Sequence, residues 1–372
     1  MSRSEIYSAC ALLAALALVG LLPWIMPLDE RVYQWIQFHR TCRMEGAIRW
    51  VDPIVRGSLA ALIACALVRD GWREPWYIAG LILLFLGGAA AVELLKTAVE
   101  RLRPNAIAGM ISGNSFPSGH TTGAAMAAAI AVLMVHRWDW PRMARWSAYG
   151  IATASVLLQG VGRLVHGSHW LSDVTASMLL GVAWVLAAGW MQRLPLAASG
   201  SVVAVACLAF YVFDDIPGAR FRLPSAIEER RASLASVEFG TPEARPALDG
   251  QWEDGPAEPI GPVAWARSPE VGVRLHADAQ ADGMLRVTLR PAGGNGGERV
   301  CARMSIAVNG WTAPEITLAR GWREYHLEPP PGVLRAGDNT IRFRLVFQSR
   351  TGNEEADVGL VAFRYLRLYP RA

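Results

Sequence analysis

Lysine is almost absent from this sequence. Of 36 basic side chains only Lys96 is a lysine, and every other one is arginine. A single ammonium in an arginine composition marks a position suited to a compact point charge rather than a planar fork. Cysteine is scarce as well. Its five copies, Cys10, Cys42, Cys65, Cys207 and Cys301, show no metal-binding spacing, and three lie inside apolar runs, where a small buried hydrophobe is the default reading. A Cys42–Cys301 bridge requires both thiols on an oxidising side and is not expected. Charge is low too, 18% of residues with a net +4 from scattered arginines, so nothing points to a nucleic-acid partner.

Apolar residues are what the chain has in excess. They make up 52% of 372 residues, with a mean hydropathy of +0.24, high for a soluble protein. The excess fills the first ~215 residues as runs near 6–26, 54–69, 77–100, 118–136, 146–165, 170–191 and 197–213, each close to the ~20 residues that a bilayer core requires. The first run follows Arg3 but lacks a small-residue cleavage site, so it reads as a membrane helix rather than a signal peptide. Gly87 to Ala91 and Gly123 to Ala129 are small-residue stretches that let membrane helices approach closely. Residues 29–38 carry apolar side chains at helical spacing beside charges, as an interfacial helix does.

Beyond the runs the pattern changes. Short alternating segments, Val271 to His276, Met284 to Arg290, Met304 to Val308 and Thr340 to Phe347, are separated by turn signals such as Asn309-Gly310. The expected fold is a multi-pass α-helical membrane bundle of six to seven spans over 1–215, a linker over 216–258, and a β-sandwich over 259–372.

Three polar clusters interrupt the membrane half. Lys96 and Arg103 are seven residues apart, sharing one face if the helix continues to Pro104. Pro117 suits a first helical position, which leaves Ser118, Gly119 and His120 with unsatisfied N–H groups, an anion site at a helix start. His169 and Asp173 stack at i,i+4, an arrangement in which a carboxylate orients an imidazole, and Arg163 precedes them with a guanidinium suited to phosphate. His166 lacks such a carboxylate, Trp170 standing at i+4. Two crossings separate the junctions that hold the clusters, so all three fall on one membrane surface. Cationic groups at membrane depth are functional candidates.

The spacing Lys96-x6-Arg103-Pro104, Pro117-Ser118-Gly119-His120 and Arg163-x5-His169-x3-Asp173 resembles the three-part signature of the type-2 phosphatidic acid phosphatase family, over roughly residues 50–195. The family's third motif usually opens Ser-Arg, and Gly162 here removes one hydroxyl from the phosphate pocket. The resemblance implies a metal-independent membrane phosphatase without cofactor, acting on a phosphomonoester or diphosphate lipid through a phosphohistidine intermediate. It implies His169 as nucleophile, Asp173 as its orienting partner and His120 as the acid for the leaving oxygen, with Lys96, Arg103, Arg163, Ser118 and Gly119 binding phosphate. Membrane lipids are the expected partners. The family's sites commonly face away from the cytoplasm, which implies a multi-pass protein of a bacterial inner membrane with site and β-sandwich on the outer side.

Two other readings share the sequence. A phosphotransferase begins with the same step but passes the phosphoryl group to a lipid or glycan acceptor. A catalytically silent anchor would carry the β-sandwich as a glycan-binding module, with Trp311 and Trp322 stacking on sugars. The intact motif set argues against a silent anchor, and the spans argue against the soluble helical haloperoxidases that share the signature.

Overall fold

The computed structural model describes residues 24–70, 74–99, 101–104, 114–191, 233–255, 261–278, 283–291, 301–319, 321–348 and 361–370. They divide into two compact units. One takes in residues 47–103 and 113–228 with the chain before 31; the other takes in 31–46, 104–112 and 229–372.

The helical elements are α1 (24–39), α2 (Cys42–Asp70), α3 (Pro75–Val99), α4 (Gly119–Arg137), α5 (Arg142–Val165) and α6 (Leu171–Met191). Among the described residues four helices are long and apolar enough to cross a membrane, α2 to α5. That is fewer than the six to seven spans expected; the expected span 197–213 and nearly all of 6–26 lie outside the described residues, and α6 covers the expected span 170–191. The second span also begins earlier than its apolar run. Thr41 Oγ1 accepts the Met44 N–H at 3.3 Å, capping the helix at Cys42, and Pro53 sits inside it. Large apolar side chains stand exposed along these helices, among them Ile54, Val68, Ile82, Leu86 and Leu157. Trp76 and Trp146 near the starts of α3 and α5, and Trp50 toward the start of α2, are exposed as well, as in the aromatic belts of membrane proteins.

Helix α4 packs against α3, α5 and α6. Its buried residues are mostly small, Ala124, Ala125, Ala128 and Ala131, which brings helix backbones together where no hydrophobic effect separates lipid from protein. At the far end of the bundle Glu74 takes Nε and Nη2 of Arg137, at 2.8 and 2.6 Å, and the Trp138 indole at 3.1 Å, tying the start of α3 to the end of α4.

The second unit is a β-sandwich of two six-stranded antiparallel sheets. Its strands are β1 (Ala235–Glu238), β2 (Leu248–Asp249), β3 (Trp252–Asp254), β4 (Ala264–Ala266), β5 (Glu270–Ala277), β6 (Gly283–Pro291), β7 (Cys301–Val308), β8 (Trp311–Thr312), β9 (Ile316–Thr317), β10 (Arg323–Leu327), β11 (Gly337–Gln348) and β12 (Val361–Pro370). One sheet runs β10-β6-β12-β4-β3 with β1 on β12, the other β2-β5-β11-β7-β8 with β9 on β7. Alternating Leu285, Val287, Leu289 and Phe363 meet Val271, Val273, Ile306 and Phe343 in one core, with Phe343 and Phe363 rings 5.0 Å apart across it. The Asn309-Gly310 turn has both residues at positive φ, 48° and 92°, which matches the twist of the β7–β8 hairpin.

Residues 235–254, read from sequence as linker, form β1 to β3 within this sandwich. Strands of two to four residues contain too little alternation to be read. Trp322 is buried beside Val263 and Ala362, which removes it as a stacking face in the glycan-binding alternative, and Trp311 is half-buried against the core. Arg290 covers Trp322 and Trp265 instead, 5.2 and 5.4 Å from their rings. Cys42 is disulfide-bonded, although no bridge was expected for it, whereas Cys65 is a free thiol.

The edge strand β10 is capped by side chains of residues 31–39. Gln37 Nε2 donates to the His326 carbonyl at 2.9 Å while its Oε1 accepts the His326 N–H at 3.0 Å, and Tyr33 donates to the Glu324 carbonyl at 2.9 Å. An edge covered in this way is closed to other strands. Beneath it the Glu324 carboxylate is buried, receiving His326 Nε2 at 2.9 Å and the Tyr365 hydroxyl at 2.5 Å, with Arg286 at 3.5 Å. Burial works against its ionisation, but the His326 bond and the Arg286 charge prevail and hold it below the ordinary carboxylate range.

Removing that charge leaves its partners buried without it. Glu324→Gln is expected to lower the unfolding free energy of the β-sandwich by about 3–5 kcal/mol. Because the folded-state pKa is depressed, the contribution is complete above the ordinary glutamate value and is lost as pH falls through the depressed one. Thermal melts of the full chain in detergent therefore show an acid-dependent decline in the parent, and a smaller acid-dependent decline in the Gln variant.

Candidate active site

The ends of α3 and α5 and the starts of α4 and α6 converge, as the parity of the crossings requires. The turn between α5 and α6 brings His169 into a buried position, 3% exposed. Its Nδ1 lies 2.8 Å from the Ser115 carbonyl and 3.5 Å from Asp173 Oδ2, and its Nε2 lies 3.2 Å from Arg103 Nη1. The carbonyl, not the carboxylate, makes the shorter bond to the ring. A carbonyl only accepts, so Nδ1 carries the proton and Nε2 keeps its lone pair. Burial is the largest influence on this imidazole and, aided by the Arg103 charge, holds its pKa below the ordinary value despite Asp173.

Asp173 is fully buried and multiply bonded. Its Oδ2 accepts the Trp170 N–H at 2.9 Å and its Oδ1 accepts Arg101 Nη1 at 2.7 Å. Arg101 also donates through Nη2 to Asp29 Oδ2 at 2.6 Å and through Nη1 to the Ser172 hydroxyl at 2.6 Å. Asp29 accepts the Ser172 N–H at 2.9 Å. Arg101, Asp29, Ser172 and Ser115 were not picked out from sequence. Charges inside or beside apolar runs were the available signal, but their partners lie 72 residues away.

Helix α3 ends at Val99, so Arg103 does not share a helical face with Lys96. It lies beyond the helix, donating to the Ser168 carbonyl at 3.1 Å as well as facing His169. Pro117 likewise does not open α4. The Phe116–Pro117 bond is cis, Ser118 is the residue before the helix, and Gly119 begins it. Ser118 is buried; its N–H donates to Ser177 Oγ at 2.7 Å, which in turn donates to the Asp173 carbonyl at 2.7 Å. Its hydroxyl contacts Thr121 Oγ1 at 3.0 Å.

Lys96 pairs with Glu93 at 2.6 Å and packs on Gly119, where an added Cβ would stand only 3.3 Å from the ammonium. Arg163 donates to Asp52 Oδ1 at 2.6 Å. His120, on the first turn of α4, has its Nε2 4.0 Å from Asp52 Oδ2. The predicted residues therefore form two adjoining groups: His169, Asp173, Arg103 and Ser118 on one side, and Lys96, Gly119, His120 and Arg163 on the other. Asp52, which links His120 to Arg163, was not anticipated.

A cavity of about 790 Å³ opens beside the second group. Its polar end holds Asp52, Glu93, Lys96 and His120, and its walls continue to Ile78 and Met134. His120 to Met134 is a run of α4 about 21 Å long. Among the described residues no three His, Cys, Asp or Glu side chains are grouped to hold a metal.

This geometry agrees with what the sequence matches. Residues 76–195 match the family model described as the PAP2 superfamily. Over 116 residues the chain is 32% identical to phosphatidylglycerophosphatase B of Bacillus subtilis, covering 30% of this chain and 56% of that protein. Over 112 residues it is 31% identical to lipid A 1-phosphatase of Porphyromonas gingivalis, covering 30% of this chain and 22% of that one. The chain thus spans about half or less of these relatives' lengths. Among solved structures it is similar to a transmembrane PAP2 type phosphatidylglycerolphosphate phosphatase from Bacillus subtilis, with 22% identity and a TM-score of 0.44 over 50% of this chain and 97% of that one.

Arg101 compensates two buried carboxylates at once. Arg101→Leu is expected to cost about 3–5 kcal/mol of stability, seen as a lowered melting temperature in detergent.

Proposed function

We propose that this chain is a membrane lipid phosphatase that cleaves a phosphomonoester or diphosphate lipid through a phosphohistidine on His169, without a metal ion. The observation that carries this reading is the His169 ring held through Nδ1 on the Ser115 carbonyl with Nε2 facing Arg103. In the first step Nε2 bonds to phosphorus while the bond from phosphorus to the lipid oxygen breaks, and His120 gives its proton to that oxygen. In the second, water attacks phosphorus, the phosphorus–nitrogen bond breaks, His120 takes a proton from the water, and inorganic phosphate leaves. Lys96, Arg103, Arg163, the Ser118 hydroxyl and the Gly119 N–H stabilise charge on the equatorial oxygens, a task that in phosphoryl transfer supplies most of the catalysis.

The cavity supports a lipid as the substrate. Its polar end meets His120 and its apolar walls run along α4 to membrane depth, the arrangement a phosphorylated head and a hydrocarbon tail require. The relatives' names make phosphatidylglycerol phosphate and lipid A phosphate the first candidates. In this reading residues 1–215 form the phosphatase domain and the β-sandwich is its companion.

The Cys42 disulfide supports an active site away from the cytoplasm. Disulfides persist on oxidising sides, Cys42 opens α2, and Asp52 of the site follows ten residues along the same helix. The reading therefore places the site on the outer face of a bacterial inner membrane.

The test is phosphate release in detergent, with chelator and no acceptor, from phosphatidate, phosphatidylglycerol phosphate, a polyprenyl diphosphate and lipid A. Release from at least one is expected, with none from His169→Ala and a slowed first step in His120→Ala. Turnover that survives His169→Ala removes the nucleophile. Since burial lowers the His169 pKa, the nucleophile stays neutral below the ordinary histidine value of about 6.5. The acid limb of kcat/KM is accordingly expected below that pH.

A further inference from the structure

Asp52 is a carboxylate set among groups that are expected to bind an anion. Its Oδ1 holds Arg163 Nη2 at 2.6 Å and Gln159 Nε2 at 2.9 Å, while its Oδ2 pairs with Arg56 at 2.7 Å and faces His120 Nε2 at 4.0 Å. It is brought there by a specific packing contact. A Cβ on Gly162 would stand 2.7 Å from Val51 Cγ1, so only glycine lets α2 approach α5 this closely. Gly162, the departure from the phosphatase signature, and the carboxylate beside Arg163 are thus two parts of one arrangement.

We propose that Asp52 is a positioning residue that tethers Arg163 in the phosphate site and sets a negative charge facing His120. It rests on the phosphatase reading and adds a cost to it: the same carboxylate repels the phosphoryl oxygens that share Arg163. Asp52 therefore weakens anion binding while promoting turnover and phosphate release. The other charges that face His120 are Arg56 from α2, Glu93 and Lys96 from α3, Arg163 from α5, and His169 when protonated. Three of these are permanent cations, so Asp52 and Glu93 supply the opposing negative charge, and Asp52 stands 4.0 Å from His120 Nε2.

The test uses the full-length protein in detergent with inorganic phosphate as the probe, comparing the parent with Asp52→Asn and Asp52→Glu. Phosphate binding by calorimetry is expected to tighten three- to fivefold in Asp52→Asn, about the effect of one partly screened charge. Its kcat is expected to fall roughly tenfold, part of what a general acid supplies, and its alkaline limb to move to lower pH. Asp52→Glu is expected to restore much of kcat and the original limb. A parallel loss of phosphate binding and kcat with an unmoved pH profile shows a merely structural contact and overturns the proposal, as does an Asn variant like the parent. If the parent hydrolyses none of the lipids, the phosphatase reading fails, and unchanged or weakened phosphate binding in Asp52→Asn separately overturns the claim that Asp52 repels the bound anion.

Discussion

The membrane unit depends on one buried ion triad, the Arg101 guanidinium between Asp29 and Asp173. Each member is almost wholly buried, and none could stay charged there alone, because desolvation of a lone ion exceeds what a few neutral contacts return. Together they satisfy one another, with Ser172 and the Trp170 N–H completing the carboxylates. Asp29 comes from α1, Arg101 from the segment after α3, and Asp173 from the first turn of α6. The triad thereby fixes the segment that delivers Arg103 and the turn that delivers His169. His169 donates its direct hydrogen bond to the Ser115 carbonyl, and the Ser115 N–H in turn donates to the Arg101 carbonyl at 2.7 Å.

Two glycines set the close approaches around this frame. Gly119 lets the start of α4 meet the Lys96 ammonium, and Gly162 lets α2 settle against the end of α5. In each case a missing Cβ decides which charged group stands beside the candidate site. Small residues in membrane helices are usually discussed as packing devices; here the packing also chooses the electrostatics.

Much of the candidate site was legible because its residues sit in three short, spaced clusters that membrane parity brings to one surface. Local geometry at their edges was less so. Arg103 read as a helical neighbour of Lys96, and Pro117 as a helix start, because spacing alone cannot show that α3 stops at Val99 or that α4 waits for Gly119. Asp29, Arg101 and Asp52 were missed for another reason: their meaning lies in partners 72 to 111 residues distant, and a single charge near an apolar run carries no record of its partner. The sandwich shows the same division. Long strands such as β5, β6 and β11 declared themselves by alternation, whereas β1 to β3 are too short to do so, and the burial of Trp322 follows from long-range packing against Val263 and Ala362.

A cluster of cations at the edge of a bilayer poses a problem before any substrate arrives, since like charges in a poorly hydrated site raise one another's energy. The arrangement around the cavity answers it with carboxylates placed in turn: Glu93 on Lys96, Asp52 on Arg163 and Arg56, Asp173 on Arg101. Those on Lys96 and Arg163 line the cavity, whereas the one on Arg101 is wholly buried. The division has a physical logic. In the proposed function, a counter-ion that exchanges its place with a phosphoryl group needs access to the cavity, and one that fixes the frame needs to be shielded from it. Burial thus separates the charges that hold the protein together from those that line the cavity.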